Sequence, residues 1–290
     1  MIPITAFRGR DVAVVGLARS GLAAARALQA GGARVAAWDD SAAKRASVGL
    51  PMVDPQTADW QSFAAVVLSP GIPLTHPAPH PVVLRAADAQ VDVIGDIELL
   101  LREGLDAMLV GVTGTNGKST TTALIGHVLA AAGRRVQVGG NIGAPVLDLD
   151  PLGRGGVYVV ELSSFQIDLT PSLNCEVAIL LNITPDHLDR HGDMAGYVAV
   201  KRRIFDRVKG VAVIGVDDEW GRQIAAELMS ANRSRNVASS VHICTSRIPG
   251  LSMRTPPPGR TISSRAVVLC RPFPVVSLTS SVHWNSSPSR

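Results

Sequence analysis

The chain has 290 residues, 46% of them apolar, with a formal net charge of +4 and a pI near 9.3. That length suggests two domains with a sizeable core, and the composition is globular, neither disordered nor fibrous. The basic pI does not mark a nucleic-acid binder: no Asp or Glu follows Glu227 while eight arginines do, leaving 20 basic against 24 acidic residues in 1–227.

From Asp11 to about Met229, short apolar runs alternate with helical patterns, which predicts βαβ units on a parallel sheet. "DVAVVG" (11–16) is a buried strand, "SGLAAARALQAGG" (20–32) a helix closed by glycines, and "RVAAWDD" (34–40) a strand ending in acids. "AAVVLSPGIP" (64–73) is a strand that breaks into a Pro/Gly turn. "GDIELLLREGLDA" (95–107) gives a short helix leading to the strand "MLVGVT" (108–113). A second unit follows: a glycine loop, a helix over 119–132, a loop "GGNIGAP" (139–145), and strands in "VYVVELSS" (157–164) and "VAILLNITPDHLD" (177–189). A helix over 194–209 and the strand "GVAVIGVDD" (210–218) complete it.

The fold class expected is therefore α/β. A Rossmann-like domain is expected over 1–96 and a second parallel-sheet unit over 97–230, which the resemblance described below makes an incomplete P-loop-type ATPase domain. An irregular Ser/Arg/Pro-rich tail spans 231–290. From residue 230 onward there are fourteen Ser, seven Pro and eight Arg, with no acid and no Lys. Joint loss of acids and lysine is what a frameshifted or spliced-in reading of the DNA would give, and a natural Arg/Ser tail is the alternative. No apolar run reaches the roughly 18 residues of a spanning helix. The start lacks a basic segment followed by a long apolar core, so no signal peptide is expected. Cys175, Cys244 and Cys270 form no metal or redox spacing, as in a reducing cytoplasm.

Two glycine loops carry the chemistry. "GLARSG" (16–21) follows the first strand but has Ala18 where a dinucleotide fingerprint needs its middle glycine. Asp39 ends the second strand where a ribose-binding acid would sit. NAD(P), another nucleotide, or a ligand-free turn all remain open on these residues. "TGTNGKST" (113–120) is sharper: it follows a strand, opens a helix, and places Lys118 and Ser119 at a helix N-terminus. Val112 stands where the usual pattern has a glycine. Lys118 would face β/γ-phosphates and Ser119 would be an oxygen ligand to Mg²⁺; the alternative is an ordinary helix cap.

Glu161 ends a strand where a carboxylate could reach that metal, although a Glu there is often just solvated. "PDHLDRH" places His187, Asp189 and His191 at alternate positions. Catalytic zinc needs a third well-placed ligand and no Cys joins them, so caps and hydrogen bonds are the expectation for Asp189 and His191. On the helix 194–209, Lys201 shares an apolar stripe with Tyr197, Ile204, Phe205 and Val208. It either snorkels to solvent or is buried with a lowered pKa, and a neutral amine can take up CO₂ as a carbamate.

In order, "GVTGTNGKSTTT", "GGNIGAP", "VVELSSFQ", "NITPDHLDRHG" and "YVAVKRRIF" resemble the central ATPase domain of the Mur ligases. "VVGLARSGLAAARAL", "SPGIPLTHP" and "GDIELL" are similar to the branch that adds D-glutamate to UDP-N-acetylmuramoyl-L-alanine; together the likeness covers about 8–230. It implies an ATP-dependent amide ligase of peptidoglycan synthesis working through an acyl phosphate, as a cytoplasmic monomer without membrane insertion or nucleic-acid partner. It further implies ATP on Gly114, Thr115, Asn116, Gly117, Lys118, Ser119 and Thr120. One Mg²⁺ falls to Ser119 and Glu161, and a second to His187 and a carbamate formed by CO₂ on Lys201. Lys118, His187 and Lys201 would be catalytic. Arg19, Ser20, Asp39, Ser69, Pro70, Gly71 and Asn141 would bind the uridine substrate. The family has a further C-terminal domain that holds D-glutamate, and nothing after about 230 resembles it. Impaired ligation is accordingly expected, with a non-catalytic nucleotide-binding remnant or regulatory binder as the rival. An NAD(P) oxidoreductase would leave the phosphate loop, Glu161 and Lys201 unexplained.

Overall fold

Runs of β-branched and small apolar residues set the frame, because such strands can be buried on both faces. A computed structural model describes residues 1–104, 106–235 and 240–244. Its first unit comprises β1 (Asp11–Val15), α1 (Arg19–Gly31), β2 (Arg34–Trp38), α2 (Ala42–Ser47), β3 (Ala65–Leu68), α3 (Pro81–Asp88) and β4 (Val93–Ile94). The linking helix α4 (Asp96–Arg102) leads into β5 (Met108–Thr113), α5 (Lys118–Ala131), β6 (Val136–Gly140), β7 (Val157–Glu161) and α6 (Ser164–Asp168). Then come β8 (Val177–Leu180), α7 (Leu188–His191), α8 (Met194–Arg202), β9 (Val211–Gly215), α9 (Glu219–Arg235) and β10 (Ser240–Cys244).

Every strand pair is parallel, in a four-stranded sheet ordered β2-β1-β3-β4 and a six-stranded sheet ordered β10-β9-β8-β5-β7-β6. β1 shows why: Val12 and Val14 face one core, Ala13 and Val15 another, and all four are fully buried. In each sheet the chain reverses its direction of travel beside one strand, β1 in the first and β5 in the second. Ligand crevices open at the carboxyl ends of strands at such points.

One apolar core runs through both units. It joins Val12, Val14 and Leu28 to Ile97, Leu99 and Leu100 of α4 and on to Leu147, Tyr158 and Val160. The three α4 side chains are at most 1% exposed, so each truncation to Ala would cost about 2–5 kcal/mol. Backbone and ion-pair ties follow the same path: Ile2 N donates to Leu147 O at 2.8 Å, and Arg26 pairs with Asp148 at 3.0 Å.

Sequence expectations differ from the structure at several places: the helix expected over 194–209 ends at Arg202 and tightens into a 3-10 turn to Phe205, and the strands expected over 34–40 and 210–218 end at Trp38 and Gly215. "VYVVELSS" ends as a strand at Glu161, and "VAILLNITPDHLD" at Leu180; the remainder turns into α6 and α7. The helix expected over 119–132 runs one residue earlier, Lys118–Ala131, starting directly on the loop. The boundary at 230 and the irregular tail from 231 also give way. α9 continues to Arg235 and delivers β10 parallel to β9, so a further βαβ unit extends to Cys244. The remainder of the expected tail, 245–290, lies outside the described residues.

Candidate functional site

The turn after β5 is built for an anion. Gly114 and Gly117 adopt φ +149° and +81°, backbone open to glycine. A Cβ at Gly114 would sit 3.0 Å from Leu181 Cβ, so the loop also hugs the end of β8. Gly117 caps α5 without a side chain, leaving the N–H groups of its first turn uncovered. Asn182 braces the loop from below: its carbonyl accepts from Thr115 N at 2.9 Å and its Oδ1 from Asn116 N at 2.8 Å. Lys118 curls back to donate to Thr115 O at 2.8 Å, while Ser119 and Thr120 are exposed at the helix start.

Beside this loop stands a buried carboxylate. Glu161 is 1% exposed and accepts from Ser119 Oγ at 2.7 Å and from Asn141 Nδ2 at 2.8 Å. Neither donor is charged, and no ion pair to Glu161 exists among the described residues. A buried charge with only neutral partners suits a cation delivered with a ligand. The hydroxyl and carboxylate supply oxygen, the donor type that Mg²⁺ takes. Among the described residues no three His, Cys, Asp or Glu side chains converge as a metal centre.

Lys201 does not snorkel. It is 1% exposed, and its stripe mates Tyr197, Ile204 and Phe205 are at most 3% exposed. Its Nζ donates to Gly114 O at 2.9 Å and lies 4.8 Å from the Tyr197 ring centre. Burial, reinforced by the charge of Lys118, lowers its pKa to about 7. Thr115 Oγ1 lies 3.2 Å from Tyr197 Oη, so α8 is fastened to the phosphate loop at two points.

Between the two sheets opens a cleft of about 580 Å³. All seven residues expected to bind the uridine substrate line it: Arg19, Ser20, Asp39, Ser69, Pro70, Gly71 and Asn141. Asn141 thus touches both the cleft and Glu161. Asp39 accepts from Leu17 N at 2.7 Å and from Ser41 N at 2.9 Å, with Lys44 at 3.3 Å. Burial would raise its pKa, but those donors outweigh it and hold the carboxyl below its ordinary range. Ser69 Oγ donates to Gly16 O at 2.7 Å, locking the two switch-point strands together.

His187 occupies the left-handed region at φ 51° before α7 and lies 4.8 Å from the Phe165 ring. It is exposed, unlike His191, which is buried, stacks on Phe165 at 5.5 Å and meets Ser164 Oγ at 2.9 Å. Burial lowers the pKa of His191. His191 therefore has the packed, hydrogen-bonded character expected for it, and Asp189 is exposed. Sequence reasoning passed over Ser163, Phe165 and Gln166, which also line the cleft. The signal was present: Ser163 and Gln166 form a reciprocal capping box, the S-x-x-Q pattern of a helix start.

Residues 112–242 match the Mur ligase middle domain. The chain is 57% identical over 258 residues to the UDP-N-acetylmuramoylalanine--D-glutamate ligase of Phenylobacterium zucineum (strain HLK1), covering 85% of this chain and 55% of that protein. It is 56% identical over 244 residues to the enzyme of the same name from Caulobacter vibrioides (strain NA1000 / CB15N), covering 80% and 52%. The chain spans about half the length of the curated relatives it matches. Among solved structures, the UDP-N-acetylmuramate:L-alanyl-gamma-D-glutamyl-meso-diaminopimelate ligase from Neisseria meningitides aligns with a TM-score of 0.54 at 17% identity. That alignment covers 81% of this chain and 77% of that one, a likeness of fold. Among the described residues no helix is long and apolar enough to cross a membrane.

Proposed function

The chain carries a Mur ligase middle domain and belongs to that family, and on this premise we propose that it acts as an ATP-dependent carbon–nitrogen ligase. The substrates proposed are UDP-N-acetylmuramoyl-L-alanine and D-glutamate, joined in peptidoglycan synthesis by a cytoplasmic monomer. The observation that carries the proposal is the placement of Asn141. It lines the inter-sheet cleft and also holds the Glu161 carboxylate beside the phosphate loop. A uridine-linked substrate lying in the cleft would present its far end, the L-alanyl carboxylate, to the phosphate loop.

A carboxylate is a poor electrophile at neutral pH. Transfer of a phosphoryl group from ATP to its oxygen gives an acyl phosphate and ADP. The amine of D-glutamate then attacks the acyl carbon, phosphate leaves, an amide forms and a proton is released. The difficulty is bringing two anions together, so the work falls to groups that neutralise and position. Lys118 and the uncovered N–H groups of α5 would hold the phosphates, with Thr115, Asn116 and Thr120 completing the loop. Ser119 and Glu161 would hold one Mg²⁺, and His187 with a carbamylated Lys201 a second. When bound, the ions would screen the repulsion between phosphate and carboxylate. Asn141 fixes the orientation of Glu161 through Oε1.

For Lys201, a pKa of about 7 makes a substantial neutral fraction available at physiological pH. The neutral amine adds to CO₂ to give the carbamate and release a proton, turning a buried cation into an anion with oxygen donors. The Asp186 carboxylate favours the ammonium form, but burial and the charge of Lys118 outweigh it. A coupled phosphate-release assay tests the proposal. Turnover that requires UDP-N-acetylmuramoyl-L-alanine, D-glutamate and Mg²⁺ together, at an impaired rate, is expected. Phosphate release indifferent to the uridine substrate, or tight NADH binding in the cleft, would count against it.

A further inference from the structure

The segment between β8 and α8 carries an arginine that the proposed chemistry does not use. Arg190, three residues after His187, reaches across the molecule and donates from Nη1 to Gly71 O at 3.0 Å. Its guanidinium lies over the Phe165 ring at 4.6 Å from the centroid. Its Nε is buried and finds no acceptor among the described residues. Leaving a charged donor buried without a partner is unfavourable, so the side chain is held in place by what it gains at Gly71 and Phe165.

Both partners line the cleft: Gly71 belongs to the Pro/Gly turn of the first unit, Phe165 to the start of α6 in the second. Phe165 in turn touches His187 at 4.8 Å. Pro70 and Phe165 also line a small recess on the far side of the cleft wall together with Arg190. One guanidinium therefore straps the turn after β3 to the short helix whose N-cap is His187. The turn is anchored at its start by Ser69, whose N and Oγ donate to Val15 O at 2.9 Å and Gly16 O at 2.7 Å, and is closed by Ile72 N to Ser69 O at 2.9 Å, whereas Gly71 has no atom within 4 Å of where a Cβ would stand. Nothing in the turn itself fixes the direction of the Gly71 carbonyl.

We propose that Arg190 is a positioning residue that sets the Ser69–Gly71 wall of the cleft and ties its position to that of His187. The part concerning substrate rests on the uridine-nucleotide reading of the cleft. In consequence, occupation of the cleft is transmitted to the α7 segment through one side chain, and both sites adopt their working geometry together. A planar, forked cation suits this role because it stacks on a ring and donates at its edge at once, which a lysine ammonium does less well.

Hydrogen exchange and calorimetry on the intact chain test this with R190M, which keeps an apolar stem against Phe165, and R190K, which keeps a donor. In ligand-free R190M the amides of 69–72 and of 187–191 should exchange faster together, while β7 and the thermal midpoint stay near wild type. Affinity for UDP-N-acetylmuramoyl-L-alanine should fall about tenfold, as for loss of one charged hydrogen bond, with R190K between the two. In the wild type that ligand should slow exchange at 187–191 as well as at the turn, and in R190M at the turn alone. Faster exchange confined to 187–191, or unchanged affinity with unchanged ligand-induced protection, overturns the proposal. If the wild type binds no uridine nucleotide, the reading of the cleft falls, and paired loosening in the ligand-free variant then upholds or refutes the strap by itself.

Discussion

The molecule repeats one device, strand, glycine loop and helix, and the two copies do opposite things. After β1, Gly16 has φ +91° and Gly21 packs so tightly that a Cβ would stand 1.8 Å from Gly16 O. Here glycine serves close packing of α1 on the sheet, and the loop amide of Leu17 is taken by the Asp39 carboxylate. That loop offers a negative floor suited to hydroxyl and N–H donors. After β5, Gly114 and Gly117 shape a turn whose helix start is uncovered, with Lys118 at its edge and no carboxylate on its amides. That loop suits an anion. Sequence spacing makes the two look alike; the partner of one backbone N–H separates them.

Lys118 separates the two loops most sharply. K118A should lower phosphate-release turnover about 10²–10³-fold, the scale of losing a main electrostatic donor, while uridine-nucleotide affinity measured by calorimetry stays put. N141A reaches both regions. Without its bond to Oε1, Glu161 is less well oriented, and Mg²⁺ dependence should shift by about 10–100-fold, as for loss of a residue supporting a metal ligand. Uridine-nucleotide affinity should fall with it, which no single change in the phosphate loop would do. D39A should act only on the first loop. It removes a carboxylate acceptor and frees Leu17 N, so uridine-nucleotide affinity should drop about tenfold with MgATP affinity unchanged.

The smallest expected effect concerns pH. Unfolded, Lys201 has the ordinary lysine pKa of 10.5, whereas in the folded protein burial lowers it to about 7. Between these values the unfolded chain binds more protons, so stability rises with pH; below 7 both forms are protonated and the penalty is complete. Denaturant unfolding should show a gain of about 1 kcal/mol between pH 7 and 8 from this group. K201M should flatten that rise. An identical slope in wild type and K201M would mean the lysine is not buried as an amine.

Much of this was legible in the residues, for physical reasons that can be named. The phosphate loop reads clearly because strand, two glycines, lysine and hydroxyl all answer to one geometric demand. Asp39 and the Ser69–Gly71 turn follow from strand ends in an open α/β sheet. Lys201 was ambiguous, since an amphipathic stripe cannot say whether its lysine bends to solvent; packing of Tyr197, Ile204 and Phe205 around it settles that it does not. α6 and α7 were hidden because short helices of five and four residues lack a full hydrophobic period. Their starts are marked only by the Ser163–Gln166 box and by the left-handed His187. With them were hidden Phe165 and Gln166, cleft residues presented by α6. The extension to β10 was missed because composition changes after Asn232 while the βαβ pattern continues.

In the proposed function one cleft and one phosphate loop meet at Asn141 and Glu161 and work as a single site. Calorimetric titration of MgATP with and without saturating UDP-N-acetylmuramoyl-L-alanine tests it most directly. Both ligands should bind, and each should change the affinity of the other by the same factor, as linkage requires. MgATP binding with identical affinity in both titrations, with the uridine substrate bound, would contradict it.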